Sequence, residues 1–71
     1  MQEITIHTET ITLGQLLKKL NILGTGGQVK IFLAEYEVRV NGEPEERRGR
    51  KLYPQDIVEI EGMESLRVVR A

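Results

Sequence analysis

The sequence of 71 residues contains no cysteine, no tryptophan and a single histidine, His7. Without cysteine the chain can form neither a disulfide framework nor a thiolate metal site, and one histidine cannot build a multi-histidine centre. No apolar run reaches the ~20 residues that span a bilayer, and the first residues lack a signal-peptide pattern. We therefore expect a cytoplasmic protein that has no metal site, no cofactor and no membrane partner.

The chain is also short and nearly neutral. Its 71 residues have room for one domain, residues 1–71, and for no deep interior pocket. His7 has no serine, cysteine or carboxylate at a spacing typical of catalysis, so we expect no catalytic residue and no enzyme. Ten Lys and Arg against eleven Asp and Glu give a net charge of −1. Any nucleic-acid contact must therefore depend on a local cluster of cations.

The first third of the chain predicts a strand followed by a helix. Polar and apolar residues alternate over residues 3–7, which is typical of a half-buried strand. Thr12 and Gln15 form a capping-box pattern, and the leucines that follow recur at helical spacing. This predicts a helix over residues 12–21, with Asn21 and Gly24 as left-handed stops.

A second helix is predicted from Thr25, which stands three residues before Gln28 and repeats the capping pattern. Apolar residues then recur at helical spacing and predict one buried face. That face consists of Val29, Phe32, Leu33 and Tyr36. Tyr36 is accordingly expected in the core.

The remaining residues predict short strands. Val38 and Val40 lead into Asn41-Gly42, a strong signal for a type I′ hairpin turn, and Pro44 confines the returning strand to a sheet edge. Residues 57–61 and 66–70 predict two further strands. Between them, residues 45–51 have no buried-face pattern, so we expect an exposed loop or a ragged strand.

The charges of this loop are arranged in blocks. Three glutamates come first, and four cations then occupy five positions. The acidic block consists of Glu43, Glu45 and Glu46, and the basic block consists of Arg47, Arg48, Arg50 and Lys51. Closely spaced Arg and Lys can neutralise several phosphates, and Arg can also stack on bases. The alternative is a solvated loop whose cations pair internally with the three glutamates.

The chain combines two capped helices, the segment VRVNG, a basic loop and the segment LYPQDIVEI. This combination resembles the RNA-binding domain named after the fourth protein of the small ribosomal subunit. The resemblance covers about residues 12–60, the alpha-L motif, and the short chain looks like the stand-alone bacterial subfamily often called YaaA-type. It implies an α+β fold in which two short N-terminal helices pack on a small, mainly antiparallel sheet. It also implies non-enzymatic binding of structured RNA, ribosomal RNA or a ribosome-assembly intermediate, through phosphate and shape recognition.

The sequence departs from the family pattern at several positions. Thr25-Gly26 stands where the second helix usually opens with Ser-Arg, which removes one cation from that helix. Tyr36 replaces the glycine before the strand, and Gln55 replaces the glycine of the usual Gly-Asp turn. These differences shift the expected RNA contacts toward the basic loop.

We predict RNA contacts on the loop, at the start of the second helix and on the hairpin. The primary candidates are Gly26, Gly27, Gln28, Lys30, Arg39, Arg47, Arg48, Arg50 and Lys51. The secondary candidates are Lys18, Lys19 and Tyr53. At the two glycines, bare N–H groups of a helix start can bind a phosphate, although a tight interhelical turn explains them equally. The lysines are equally consistent with ordinary solubilising residues.

Two other functions compete with RNA binding. The first is that of the ubiquitin-like, β-grasp sulfur carriers of thiamine and molybdopterin synthesis. The chain also looks like these carriers in three segments, MQEITIHTETITLGQLLKKL, VRVNGEPE and DIVEIEG. Those carriers use a C-terminal Gly-Gly, whereas this chain ends in Arg70-Ala71, so this function is disfavoured. A third function is a protein-docking module that uses the charges of residues 43–51. The expected partners are RNA and, second, ribosomal proteins, bound by a monomer.

Overall fold

A computed structural model describes residues 1–20 and 26–71 of the chain. Within these ranges the chain forms two helices and seven short strands. In chain order they are β1 (Gln2–Ile6), β2 (Ile11–Thr12), α1 (Leu13–Lys19), α2 (Gly26–Glu35), β3 (Val38–Val40), β4 (Glu43–Pro44), β5 (Lys51–Leu52), β6 (Ile57–Ile60) and β7 (Leu66–Arg70).

The strands form one five-stranded sheet and one two-stranded sheet. The larger sheet has the order β1-β7-β6-β3-β4, and the smaller pairs β2 with β5. All neighbours are antiparallel except β1 and β7, which pair in parallel. The α+β class and the mainly antiparallel sheet are thus confirmed. The strand predicted over residues 3–7 is present as β1, so the two helices follow it and do not begin the chain, and the short strand β2 was not predicted.

One face of the large sheet packs against both helices. Side chains alternate along each strand, so β3 buries Val38 and Val40 and leaves Arg39 exposed. The helices contribute leucines and a valine to the same cluster. Its buried members are Ile4, Ile6, Ile11, Leu13, Leu16, Leu17, Val29, Leu33, Val38, Val40, Leu52, Val58, Ile60, Leu66 and Val68. The opposite face of the sheet carries no helix among the described residues.

The capping box predicted for α1 is confirmed. The backbone N–H of Gln15 donates to the Thr12 hydroxyl at 3.2 Å, and the Gln15 side chain accepts from the Thr12 backbone N–H at 3.0 Å. The helix ends at Lys19 with Leu20 as its C-cap, earlier than predicted. The predicted stops at Asn21 and Gly24 and the predicted cap at Thr25 lie outside the described residues.

The predicted apolar face of α2 is correct at Val29 and Leu33, which are buried, and Phe32 packs partly against the core. The expectation for Tyr36 is wrong, because this residue is 45% exposed. The helix ends at Glu35, so the helical spacing no longer directs the next side chain into the core. The Tyr36 ring instead stacks on Phe32, with 4.7 Å between the ring centroids.

The Asn41-Gly42 turn is confirmed and is tied to a second turn. Asn41 and Gly42 have φ values of 52° and 84°, as a type I′ turn requires. The Asn41 side chain donates to the Asp56 carboxylate at 3.1 Å and accepts from the Ile57 N–H at 2.9 Å. Asp56 in turn accepts from the Tyr53 N–H at 2.8 Å. These bonds explain why VRVNG and LYPQD occur together. The predicted edge position of Pro44 is also confirmed, since β4 ends the sheet order.

Gln55 stores backbone strain in this second turn. Its φ is 80°, in the left-handed region where a side chain is unfavourable. Replacing Gln55 by glycine removes that strain, partly offset by the greater freedom of glycine in the unfolded chain. We expect Gln55→Gly to raise the free energy of unfolding by about 0.5–1 kcal/mol and the Tm by roughly 3–6 °C.

The control for this prediction is Gln55→Ala, which removes the same polar group but retains a Cβ at positive φ. Thermal unfolding followed by circular dichroism should show no gain for this variant. A Gln55→Gly protein that melts at or below the wild-type temperature would show that the turn is not strained.

Candidate nucleic-acid interface

The loop that carries the basic cluster is organised by one buried carboxylate, Glu45. Its side chain is only 6% exposed. One oxygen accepts from the backbone N–H groups of Glu46 and Arg47 at 3.2 and 3.1 Å and from Arg47 Nε at 3.0 Å. The other accepts from Arg47 Nη2 at 3.1 Å and from Arg50 Nη1 at 2.7 Å. The loop is therefore folded around Glu45.

This carboxylate stays ionised well into the acid range. Side-chain hydrogen bonds from Arg47 and then from Arg50 lower the pKa of Glu45 from 4.5 to about 2, against the opposing effect of burial. The same bond from Glu45 raises the pKa of Arg47. Glu45 and Arg47 are therefore both charged at neutral pH, and the loop encloses the negative charge.

The expected exposed loop or ragged strand is present at residues 46–49, which are exposed and form no strand, but not at its two ends. Glu45 is buried, and Lys51 belongs to β5, which pairs with β2. The internal pairing that was weighed as the alternative holds for Arg47 and Arg50, both bound to Glu45. Arg47 nevertheless leaves 77% of its side chain exposed.

The loop packs directly on the start of α1. The first two helical N–H groups, those of Leu13 and Gly14, donate to the carbonyl oxygens of Arg50 and Arg48 at 2.9 and 2.8 Å. The third, that of Gln15, donates to Thr12. A Cβ on Gly14 would lie 3.3 Å from the Arg48 carbonyl oxygen, so glycine permits this close approach. Because protein acceptors take these N–H groups, the start of α1 offers none of them to an anion.

A shallow depression of about 260 Å³, which we call the basic groove, lies where the loop meets the two helices. Its walls come from α1, α2 and the loop, and two cations line it, Lys18 and Arg48. The lining residues are Thr12, Gly14, Gln15, Lys18, Val29, Arg48 and Gly49. Folding thus brings together two cations that are far apart in the sequence.

Other candidates lie on or next to two elements that adjoin the basic groove: α2, which contributes Val29, and β5, which pairs with Thr12. Gln28 and Lys30 flank Val29 on α2 and are exposed, and Gly27 lies in the first turn of the same helix. Gly26 begins that helix. The strand β5 presents Lys51, and Tyr53 follows it with 53% exposure.

Two candidates lie elsewhere. The Lys19 ammonium donates to the Thr5 carbonyl oxygen at 2.8 Å, which directs it to the edge of β1 and away from Lys18. Arg39 lies on the sheet face opposite the helices and pairs with Glu37 at 2.9 Å. The structure therefore separates Lys19 and Arg39 from the basic groove.

The sequence reasoning missed Glu45 and Gly14 as residues that build this interface. A signal for Glu45 was present, since it precedes Arg47 and Arg50 on one short loop, but nothing local indicates that its carboxylate is buried. The requirement for Gly14 is long-range, because it depends on the Arg48 carbonyl packing against α1. Only the folded arrangement reveals either role.

Comparison with known proteins assigns the chain to a family. The model of the S4 domain family matches residues 4–69, nearly the whole chain, and the chain belongs to this family. It is also 59% identical over 66 residues to a Bacillus subtilis (strain 168) protein named probable ribosome maturation protein RlbA, with 93% of each chain covered. The predicted family is thus confirmed, and the match favours an RNA-binding or ribosome-related role over the sulfur-carrier alternative.

Two negative findings apply to residues 1–20 and 26–71. No helix there is long and apolar enough to cross a membrane. No three His, Asp or Glu side chains in those ranges are grouped so that they could hold a metal ion.

Proposed function

We propose that the protein binds structured ribosomal RNA, or a ribosome-assembly intermediate, through the basic groove and the loop beside it. The observation that carries this proposal is the placement of Lys18 and Arg48 in one groove, next to a loop that Glu45 holds in place. The S4 family and the name of the Bacillus relative support it. The role needs neither catalysis nor a cofactor, and it is a role for the cytoplasm.

The proposed recognition is mainly of phosphates and shape. Phosphate oxygens are bound by three cations, Lys18, Arg48 and Lys51, the lysines as point charges and the arginine through paired hydrogen bonds. The exposed part of the Arg47 side chain adds a further positive charge to this surface. Gln15 lines the groove and can hydrogen-bond to RNA sugars or bases. The start of α2, with Gly26 and Gly27, stays a predicted backbone contact to phosphate.

A salt titration tests this proposal. Binding to a structured fragment of ribosomal RNA, measured by fluorescence anisotropy at several KCl concentrations, should give a log–log slope of about −2 to −4, as three or four phosphate contacts predict. A duplex DNA of equal length is the comparison. We expect weaker DNA binding, because a net charge of −1 leaves only a local attraction. Equal affinity for both at physiological salt, or no measurable RNA binding, would refute the proposal.

A further inference from the structure

The outward side of α2 exposes apolar side chains in its second half, although the helix already buries its other side. Val29 and Leu33 point into the core, whereas Ile31 is 59% exposed and Ala34, one turn later, is exposed too. The Tyr36 ring extends this apolar area at the end of the helix and is held in place by stacking on Phe32. Lys30 and Glu35 are exposed on the same helix, so Ile31, Ala34 and the Tyr36 ring form a small apolar patch bordered by charged side chains.

Carboxylates surround this area at its C-terminal end. A cleft of about 330 Å³, which we call the acidic cleft, separates the end of α2 from the hairpin of β3 and β4. Its apolar wall includes Leu33, Tyr36 and Pro44, and its acidic rim includes Glu35, Glu46 and Glu61. No basic residue lies in the last turn of α2, so the negative end of the helix dipole adds to the rim.

The chemistry of the acidic cleft selects its occupant. Phosphates are repelled by the rim, which argues against RNA at this end of the protein. A guanidinium group fits both the apolar wall and the acidic rim, because it can stack on an exposed aromatic ring and form two parallel hydrogen bonds to a carboxylate. The apolar stripe of Ile31 and Ala34 fits the aliphatic side chains that alternate with the cations of such a segment.

We propose that the acidic cleft and the outer side of α2 bind an arginine-rich peptide segment of a partner protein. The proposal goes beyond RNA binding and does not depend on it, because the basic groove is built from different residues. One protein could then hold RNA at the start of its helices and a basic protein segment at the end of α2.

A labelled nine-residue peptide of alternating arginine and leucine is the probe, titrated against the full chain by fluorescence anisotropy. The variant Tyr36→Leu/Glu35→Gln removes the ring and one rim charge, and its Kd should rise about tenfold. The control Tyr53→Leu/Glu59→Gln makes the same changes on the exposed Tyr53 and on the open sheet face, and its Kd should stay within about twofold of wild type. Tyr36→Phe keeps an aromatic face and should bind like wild type.

The variant Glu35→Gln/Glu46→Gln tests the proposal even where loss of the ring weakens the fold, because it leaves the core untouched; it too should weaken peptide binding.

Equal effects of the Tyr36 and Tyr53 double variants would overturn the proposal, as would Tyr36→Phe binding no better than Tyr36→Leu. Sedimentation that shows a dimer broken by Tyr36→Leu would overturn it in favour of a second copy. Lys18→Gln/Arg48→Gln, which removes the two cations of the basic groove, should not weaken peptide binding, and a Kd that rises about tenfold for this variant would place the peptide on the basic groove instead. Failure of RNA binding alone would leave this result intact.

Discussion

Replacing Glu45 by glutamine is expected to lower the free energy of unfolding by about 2 kcal/mol at neutral pH, since charge-assisted hydrogen bonds are worth roughly 1.5–3 kcal/mol each when a buried partner is removed. Glutamine offers one acceptor oxygen where Glu45 accepts five hydrogen bonds with two. Its amide N–H groups would also face arginine donors. Urea unfolding of the variant measures the loss directly.

Glu46→Gln is the matched control, because it removes the neighbouring, exposed carboxylate. Its free energy of unfolding should stay within about 0.5 kcal/mol of wild type. Equal stabilities of the Glu45→Gln protein and the wild type would show that the Glu45 bonds do not hold the loop.

Acid gives an independent test of the same carboxylate. The pKa of Glu45 is about 2 in the folded protein against the usual 4.5. Because the folded pKa is the lower one, the stabilisation by the ionised group is complete above about pH 4.5 and is lost as the pH falls toward 2. The stability difference between wild type and Glu45→Gln should therefore narrow across this window.

The effect of Glu45→Gln on RNA binding separates loop geometry from net charge. The variant has one negative charge fewer, so attraction to phosphates alone predicts tighter binding. The proposed interface predicts weaker binding, because a loosened loop must be ordered again when RNA binds. Weaker binding with an unchanged or steeper salt dependence is the expected result.

Removing the two cations of the basic groove should have the largest effect on RNA binding. For Lys18→Gln/Arg48→Gln we expect the RNA Kd to rise about tenfold or more and the log–log salt slope to become shallower by about 1.4–1.8, which corresponds to two phosphate contacts. The variant keeps the Arg48 backbone carbonyl that α1 requires, and circular dichroism should show wild-type helix content before the affinities are compared.

The control Lys19→Gln/Arg39→Gln changes the net charge by the same amount. Its lysine is adjacent in sequence to Lys18 but binds the Thr5 carbonyl, and Arg39 lies on the opposite sheet face. RNA affinity should change by less than about threefold, since only the long-range field is altered. Equal losses for the two double variants would mean that overall charge, and not the basic groove, determines binding.

Local signals in the sequence predicted the elements whose causes are local. The Thr12–Gln15 capping box and the Asn41-Gly42 turn depend on residues a few positions apart, and both are confirmed. The parallel pairing of β1 with β7 joins the two ends of the chain. No local pattern encodes that pairing, because it depends on how the whole sheet is arranged.

The candidate interface was predicted less completely than the fold. Charge patterning identified the basic loop but not which of its cations Glu45 holds, since burial of a carboxylate depends on long-range packing. Helical spacing misplaced Tyr36 because the periodicity continued past the end of α2. Helical spacing also could not distinguish the roles of Lys18 and Lys19. Only the position of β1, whose Thr5 carbonyl binds the Lys19 ammonium, separates the two side chains.

Mapping RNA onto the protein by NMR tests the central claim most directly. In a titration of the labelled protein with structured ribosomal RNA, the backbone amide signals of Gln15, Lys18, Val29, Arg48 and Gly49 should shift most. Those of Arg39 and Glu59 on the open sheet face should remain near their free positions. Shifts concentrated on the open sheet face, with the signals of the basic groove unchanged, would contradict the account.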